Sequence, residues 1–173
     1  GHFWFQGRRT IFFDLIERVM GDAPGRAADR KILEVGCGAG GMLGPLGRYG
    51  TVIGMDISHE YMSYCRSRGH DRAITGSGYE LPFQDDRLYK VALFDVLEHI
   101  DDDGGALAEV RRVLRPGGRV LIHVPAHPIL FAQNDEVSGH LRRYTRRRLR
   151  RVVEESGLDV QRLSGSDFLL LPL

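Results

Sequence analysis

Short aliphatic runs alternate with amphipathic stretches of helical length along this chain, and no other feature constrains the fold as strongly. The alternation is typical of a mostly parallel sheet with helices on both faces, because the strands of such a sheet are buried on both sides. The sequence therefore predicts an α/β fold of the Rossmann-like, doubly wound kind. Six strands are predicted, over residues 31–35, 51–56, 72–75, 90–95, 119–124 and 158–163.

The helices are predicted from residues that favour helix ends. Side chains suited to the N-cap precede three apolar-periodic stretches, at Ser58, at Asp102 or Asp103, and at Thr145. Glycine or proline marks the predicted ends of these helices, near residue 69, at residues 115–117 and just before residue 157. A further helix is predicted over residues 10–20, ahead of the first strand.

The composition argues against several classes of partner. Lys and Arg number 24 against 23 Asp and Glu, and a net charge of +1 gives no overall field to attract nucleic acid or an anionic membrane. The arginines within residues 142–151 fall mostly on the solvated face of the last helix. No apolar run approaches the ~20 residues that span a bilayer, and two cysteines are too few for a disulfide framework. We therefore expect a cytoplasmic protein without a membrane span or a nucleic-acid partner.

The first predicted strand runs into a glycine-rich loop, in which Gly36, Gly38 and Gly41 match the pattern GxGxxG. Glycines permit a tight turn and let a small ligand approach free backbone N–H groups. Asp56 closes the second strand, where a carboxylate can accept hydrogen bonds from ribose hydroxyls. Glu34 precedes the loop, and its charge favours a cationic sulfonium compound over a pyrophosphate.

On these residues the chain resembles the class I S-adenosylmethionine-dependent methyltransferases. The resemblance covers roughly residues 32–124 and implies S-adenosylmethionine as the cofactor and S-adenosylhomocysteine as its product. It also implies the family's seven-stranded sheet, whose last pair of strands is antiparallel. The matching blocks are ExGxGxG at 34–40, the acidic end of the second strand at Asp56, Leu81-Pro82-Phe83, FDVLEHI at 94–100 and LRPGG at 114–118.

The resemblance implies a set of cofactor-binding residues. The acid and the glycine loop are expected to hold the methionine part, and Asp56 is expected to hold the ribose. Ser77 and Gly78 are expected at the adenine edge, although many relatives have an acid where Ser77 stands, and a hydroxyl binds the adenine amino group more weakly. The full predicted set is Glu34, Gly36, Cys37, Gly38, Gly40, Asp56, Ile57, Ser77, Gly78, Asp95 and Leu97.

The acceptor side is predicted after the fourth strand and within residues 125–144. His99, His127 and His140 are the candidate general bases, because the histidine pKa suits proton removal from a hydroxyl or an amine. Residues 139–144 resemble a GHxRRY block of a bacterial subgroup of these methyltransferases. From that block we predict that the substrate contacts Arg142, Arg143 and Tyr144.

Two residues near these candidates receive no functional role. His123 is interpreted as a core residue, because it lies inside the fifth predicted strand. The D-x-x-E-H run formed by Asp95, Glu98 and His99 has the spacing at which relatives acting on quinone-precursor hydroxyls hold a divalent metal. Such a run is more often a strand end followed by a helix start, so no metal ligand is assigned.

We therefore predict one methyltransferase domain over residues 1–173. It comprises an N-terminal helix or cap (1–30), a cofactor-binding core (31–124), an acceptor-side insertion (125–144), and a last helix and strand (145–173). The predicted activity is methyl transfer to an oxygen or nitrogen atom of a small molecule. Two alternatives stay open, a nicotinamide dinucleotide-binding oxidoreductase domain and a non-catalytic cofactor-binding subunit. The sequence leaves the oligomeric state undetermined.

Overall fold

The computed structural model describes residues 16–17 and 30–165 of the chain. Within them, one sheet is formed by β1 (Lys31–Val35), β2 (Thr51–Asp56), β3 (Ala73–Thr75), β4 (Leu88–Phe94) and β5 (Leu114–His123). The strand order is β3-β2-β1-β4-β5, and all four pairs of neighbouring strands are parallel. The predicted α/β fold with a parallel sheet is confirmed.

The helices of the described part alternate with these strands. They are α1 (Leu43–Leu46), α2 (His59–Ser67), α3 (Asp103–Val113), α4 (Gln133–Val137) and α5 (Arg146–Glu155), with short 3-10 turns at Leu97–His99 and Pro128–Leu130. Three of the helices begin as predicted, because the side chains of Ser58, Asp102 and Thr145 accept hydrogen bonds from backbone N–H groups three residues later. Asp102, and not its neighbour, is therefore the N-cap of α3.

Helices cover both faces of the sheet, as a doubly wound fold requires. One buried cluster joins Leu107 of α3 and Val153 of α5 to Leu33 of β1. On the other face, Ile32 of β1 clusters with Leu46 of α1. Successive residues of a strand point to opposite faces of the sheet, so β1 contributes to both clusters.

The strand order places a ligand crevice at the middle of the sheet. β1 lies between β2 and β4, so the chain leaves β1 in one direction first and returns to its other side later. In open α/β sheets, ligands bind outside the carboxyl ends of the strands where the order reverses in this way. The glycine loop follows β1 at this edge, and the D-x-x-E-H run follows β4.

The predicted boundary between α3 and β5 is wrong. The helix predicted to reach residues 115–117 ends at Val113, and β5 begins at Leu114 instead of residue 119. Leu114 pairs with Leu88 of β4 before the register shifts, so the chain passes from helix to strand without a loop. Proline and glycine in this stretch therefore occupy the exposed beginning of the strand instead of ending the helix.

The sixth predicted strand is also wrong. Residues 158–163 have no regular secondary structure, and Leu158 and Val160 pack against the main core instead of extending the sheet. Aliphatic residues suit either position, and only a neighbouring strand would satisfy the backbone of a sixth one. Of the seven strands that the resemblance implies, the described ranges contain five.

The predicted helix over residues 10–20 lies outside the described residues, apart from Ile16 and Glu17, which are helical. The same holds for most of the N-terminal segment 1–30. Among the helices that are described, none combines the length and the apolar character needed to cross a membrane.

Candidate functional site

The glycine loop adopts a backbone that side chains disfavour. Gly36, Gly38 and Gly40 have φ angles of +67°, +50° and +77°. A Cβ on Gly36 would lie 2.5 Å from Cγ2 of Val96, so this glycine permits close packing against the turn after β4. A Cβ on Gly38 would meet nothing within 4 Å. The middle of the loop therefore faces open space.

Asp56 holds the loop from the end of β2. Its Oδ2 accepts a hydrogen bond from the Gly38 backbone N–H at 2.8 Å, and its Oδ1 accepts one from the Ser58 N–H at 2.9 Å. The carboxylate therefore links the loop to the start of α2. Ile57, the next residue, is 78% exposed, although it is a large apolar side chain. An acid and an exposed apolar surface stand side by side at this edge of the sheet.

Glu34 is buried beneath the loop, contrary to the charge argument made from the sequence. Its side chain belongs to a residue only 3% exposed, and its Oε2 has no hydrogen-bond partner among the described residues. Burial raises the pKa of Glu34 to about 8. The side chain is therefore mostly protonated at neutral pH and provides no fixed negative charge against a pyrophosphate. The choice between ligand classes must rest on other observations.

The other predicted cofactor residues differ in how much surface they offer. The Ser77 hydroxyl accepts a hydrogen bond from the Tyr79 N–H at 3.2 Å, and a Cβ on Gly78 would approach Ile100 to 3.2 Å. Cys37 is buried, and burial raises the pKa of its thiol. Leu97 is fully buried in the main core, so its side chain offers no surface to a ligand.

Asp95 pairs with a residue that sequence reasoning had placed in the core. Its Oδ1 lies 2.8 Å from Nδ1 of His123, and its own φ of +56° turns the chain away from β4. His123 is the last residue of β5 and lies opposite Phe94 in the parallel register. The sequence could have predicted this pair, because Asp95 and His123 stand at the carboxyl ends of β4 and β5, and the carboxyl ends of adjacent parallel strands meet at one edge of the sheet.

The GHxRRY block fastens the 125–144 segment to the turn after β4. The Leu141 N–H donates to the Glu98 carbonyl oxygen at 2.7 Å, and Nδ1 of His99 lies 3.1 Å from the Gly139 carbonyl oxygen. The rings of His99 and His140 are 4.8 Å apart in an edge-to-face arrangement. Two of the three candidate bases are therefore brought together, next to the end of β4.

The three predicted substrate contacts are bonded within the protein. The Arg143 guanidinium donates to both oxygens of Asp135, at 2.8 and 2.9 Å, and Arg142 lies 3.2 Å from Asp103. Tyr144 is 2% exposed, and its hydroxyl donates to Oδ2 of Asp103 at 2.8 Å. Burial, together with this carboxylate, raises the pKa of Tyr144. These bonds orient the segment, and the contact with substrate stays a prediction.

The third candidate base, His127, lies where the 125–144 segment begins. It is exposed, its φ of +61° is unusual for a side-chain-bearing residue, and its N–H donates to the Tyr144 carbonyl oxygen at 3.2 Å. This bond and the parallel bridge between Ala126 and Tyr144 close the base of the 125–144 segment.

A family model described as a methyltransferase domain matches residues 33–122, which is more than half of the chain. The chain belongs to this methyltransferase family. The match includes the glycine loop, Asp56 and the run after β4, and it ends within β5. The predicted class I S-adenosylmethionine-dependent methyltransferase family is thereby confirmed.

Similar proteins agree with this assignment. The chain is 29% identical to a probable S-adenosylmethionine-dependent methyltransferase of Mycolicibacterium smegmatis, over 95% of this chain and 62% of that protein. It is 31% identical to the ubiquinone/menaquinone biosynthesis C-methyltransferase of Vibrio campbellii, over 63% of this chain and 46% of that protein. The chain therefore spans about half to three fifths of the length of these curated relatives.

A solved structure shares the fold of this chain. The YcgJ protein of Bacillus subtilis superposes with a TM-score of 0.69 at 23% identity, over 83% of this chain and 66% of that one. At this identity the likeness supports the class I methyltransferase fold and does not extend to a substrate.

Proposed function

We propose that this chain binds S-adenosylmethionine and transfers its methyl group to an oxygen or nitrogen atom of a small-molecule acceptor. The observation that carries the proposal is the glycine loop of a methyltransferase family member, with Gly38 open to the crevice and held by Asp56. Family membership also favours this cofactor over a nicotinamide dinucleotide.

The residues at the crevice fit the cofactor. At Gly38 the space that a Cβ would occupy is open, so a ligand can approach the backbone there. A side chain at this position would fill that space. The Asp56 carboxylate can accept hydrogen bonds from ribose hydroxyls in addition to the two backbone bonds, because each oxygen has two lone pairs. The exposed Ile57 side chain offers an apolar surface for the adenine ring, and Ser77 offers a hydroxyl.

The bound sulfonium supplies an activated methyl carbon, so the protein's part is to align the acceptor and exclude water. The residues after β4 and the 125–144 segment stand where the acceptor would meet the methyl group. Proton removal from a hydroxyl or amine falls to an imidazole there. His99 and His140 both have Nδ1 close to an oxygen acceptor, which leaves Nε2 of the neutral ring able to accept a proton.

Calorimetry with S-adenosylhomocysteine tests the cofactor half of the proposal. We expect micromolar binding to the wild type and weaker binding to Asp56→Ala. Binding to Asp85→Ala should be unchanged, because the Asp85 carboxylate contacts Arg112 and is remote in sequence from the glycine loop. Absence of any heat with the whole chain removes the proposal. Binding of nicotinamide dinucleotide in its place would support the oxidoreductase alternative.

Methyl transfer itself is tested by mass spectrometry on a panel of phenols, amines and carbon acids with S-adenosylmethionine. A gain of one methyl group on oxygen or nitrogen supports the proposed acceptor type. Methylation at carbon, the activity named for the Vibrio relative, overturns that type while the cofactor assignment stands. Tight cofactor binding without methylation of any acceptor supports the non-catalytic subunit.

A further inference from the structure

Three potential metal ligands meet at the carboxyl end of β4. One ligand atom from each of Glu98, His99 and His140 lies within 4.8 Å of the other two. The first two belong to the 3-10 turn after β4, and His140 comes from the 125–144 segment. The sequence separates the pair from His140 by about forty residues, so only the fold brings the three together.

Glu98 is buried without a partner. The residue is 0% exposed, and neither of its carboxylate oxygens has a hydrogen-bond partner within the described ranges. A buried carboxylate is normally paired or coordinates a metal, because an uncompensated one is strongly disfavoured. The bonds that fasten the neighbouring segment to this turn use the Glu98 backbone carbonyl and leave the side chain unused.

The two histidines are held in the orientation that metal ligands require. Nδ1 of His99 lies 3.1 Å from the Gly139 carbonyl oxygen, and Nδ1 of His140 lies 2.9 Å from Oδ1 of Asp135. A carbonyl oxygen only accepts hydrogen bonds, and so does a carboxylate, so Nδ1 carries the proton in each neutral ring. Each Nε2 therefore keeps a lone pair that can bind a cation.

Asp135 is itself firmly placed. Arg143 donates to both of its oxygens, and the Ala132 N–H donates to Oδ2 at 2.9 Å. A carboxylate that fixes the outer nitrogen of a histidine is the usual support of a metal-binding imidazole.

We propose that Glu98, His99 and His140 bind one first-row transition-metal ion, with Zn²⁺ the best-suited candidate. Two imidazoles and one carboxylate form a ligand set that suits Zn²⁺ and Fe²⁺, whereas Mg²⁺ and Ca²⁺ prefer oxygen ligands. His99 is exposed, so the fourth position opens toward solvent, where an oxygen of an acceptor can bind. The site extends the acceptor side of the proposed function. With the ion bound, Nε2 of His99 and of His140 is occupied, so neither imidazole then accepts a proton, and metal binding itself does not depend on methyl transfer.

Binding must draw the ligands closer together. Ligands bonded at about 2.0–2.1 Å to a tetrahedral ion lie about 3.4 Å apart, so the widest present separation contracts by about 1.4 Å. Asp95, which the sequence pattern groups with Glu98 and His99, bonds His123 and stands outside the cluster. The geometry therefore replaces that acid with His140.

Calorimetry and Co²⁺ absorption test the site on the whole chain after treatment with a chelator. We expect one Zn²⁺ per chain, and at least tenfold weaker binding in Glu98→Gln and His140→Gln. His59→Gln is the matched control, because His59 is an exposed histidine that lies outside the cluster and bonds Thr75. Visible absorption of Co²⁺ with the intensity of four- or five-coordinate sites is expected for the wild type and the control. Binding of S-adenosylhomocysteine, measured separately, reports on the proposed function alone.

A readout on the unaltered chain covers the case in which a variant does not fold. The chain has seven histidines, and we expect one equivalent of Zn²⁺ to shift the Nε2 ¹⁵N resonance of only two of them, His99 and His140. Three results overturn the site: no heat and no Co²⁺ absorption, equal affinity in folded Glu98→Gln and wild type, or Mg²⁺ binding as tightly as Zn²⁺.

Discussion

Replacement of Gly38 by alanine separates the strain of the glycine loop from its role in binding. The φ of +50° makes any side chain cost about 1–2 kcal/mol, which lowers the melting temperature by about 2–8 °C in a protein of this size. The added methyl group meets no protein atom within 4 Å, so no further loss of stability is expected. It does project into the open space where the cofactor would approach the backbone. The Gly38 N–H is already bonded to Asp56, so the methyl group would act by displacing a charged ligand group from a neighbouring N–H of the loop. Loss of one such hydrogen bond, worth about 1.5–3 kcal/mol, weakens binding about tenfold to hundredfold.

Gly69→Ala is the matched control for this variant. Gly69 has a φ of +87°, and a Cβ there also meets nothing within 4 Å, but it lies at the far end of α2. Both variants should lose similar stability in thermal denaturation. Only Gly38→Ala should lose affinity for S-adenosylhomocysteine, measured by calorimetry well below the melting temperature. Affinity within twofold of wild type in Gly38→Ala, or an equal loss in both variants, would refute the assignment of this open space to the cofactor.

Three further variants test the packing and electrostatics of the site. Gly36→Ala should lower the free energy of unfolding, measured in urea, by about 2–5 kcal/mol, because steric overlap with Val96 adds to the strain of a positive φ. Adding Val96→Ala to this variant should restore the part lost to overlap and leave the part lost to backbone strain. Glu34→Gln should become progressively more stable relative to wild type as pH rises from 4.5 to 8, by up to about 1.4 kcal/mol per unit. The Glu34 carboxyl loses its proton near pH 4.5 in the unfolded wild type and near pH 8 in the folded one, so the wild-type native state loses stability as pH rises between these values. A difference in stability between Glu34→Gln and wild type that does not change with pH would contradict the burial of this acid. Tyr144→Phe should cost about 1–3 kcal/mol in the same assay, whereas Tyr64→Phe, at an exposed hydroxyl, should cost under about 0.5 kcal/mol; equal losses would deny Tyr144 an anchoring role.

The parts of the fold that local pattern determines were predictable. β1 and β2 occupy the residues expected, because their aliphatic runs are bounded by glycine and by an acid at the carboxyl end. Ser58, Asp102 and Thr145 cap their helices, since N-capping depends on a side chain and the next three residues. The stretch at 158–163 has a strand-like pattern too, but its state depends on whether a neighbouring strand is present, and no local signal reports that.

The sequence predicts those parts of the candidate site that lie next to a single strand. It does not predict the parts in which residues from distant segments meet. The glycine loop and Asp56 can be read from spacing, because each lies next to its own strand. Burial of Glu34 depends on how the rest of the chain packs against β1, so the sequence suggested a free charge where the structure has a buried carboxyl. The meeting of His140 with Glu98 depends on bonds made by the whole 125–144 segment, which no spacing rule contains.

The closed base of that segment has a consequence for how related enzymes can diversify. Because Ala126 and Tyr144 bridge each other, the two ends of the excursion stay together whatever its tip contains. Residues 128–132 are exposed at this tip, and doubling the length of a flexible loop adds only about 0.6 kcal/mol of closure entropy. Insertions or grafts there would leave the sheet beneath unchanged. Under the proposed function, acceptor preference could therefore evolve without any change in the glycine loop or Asp56.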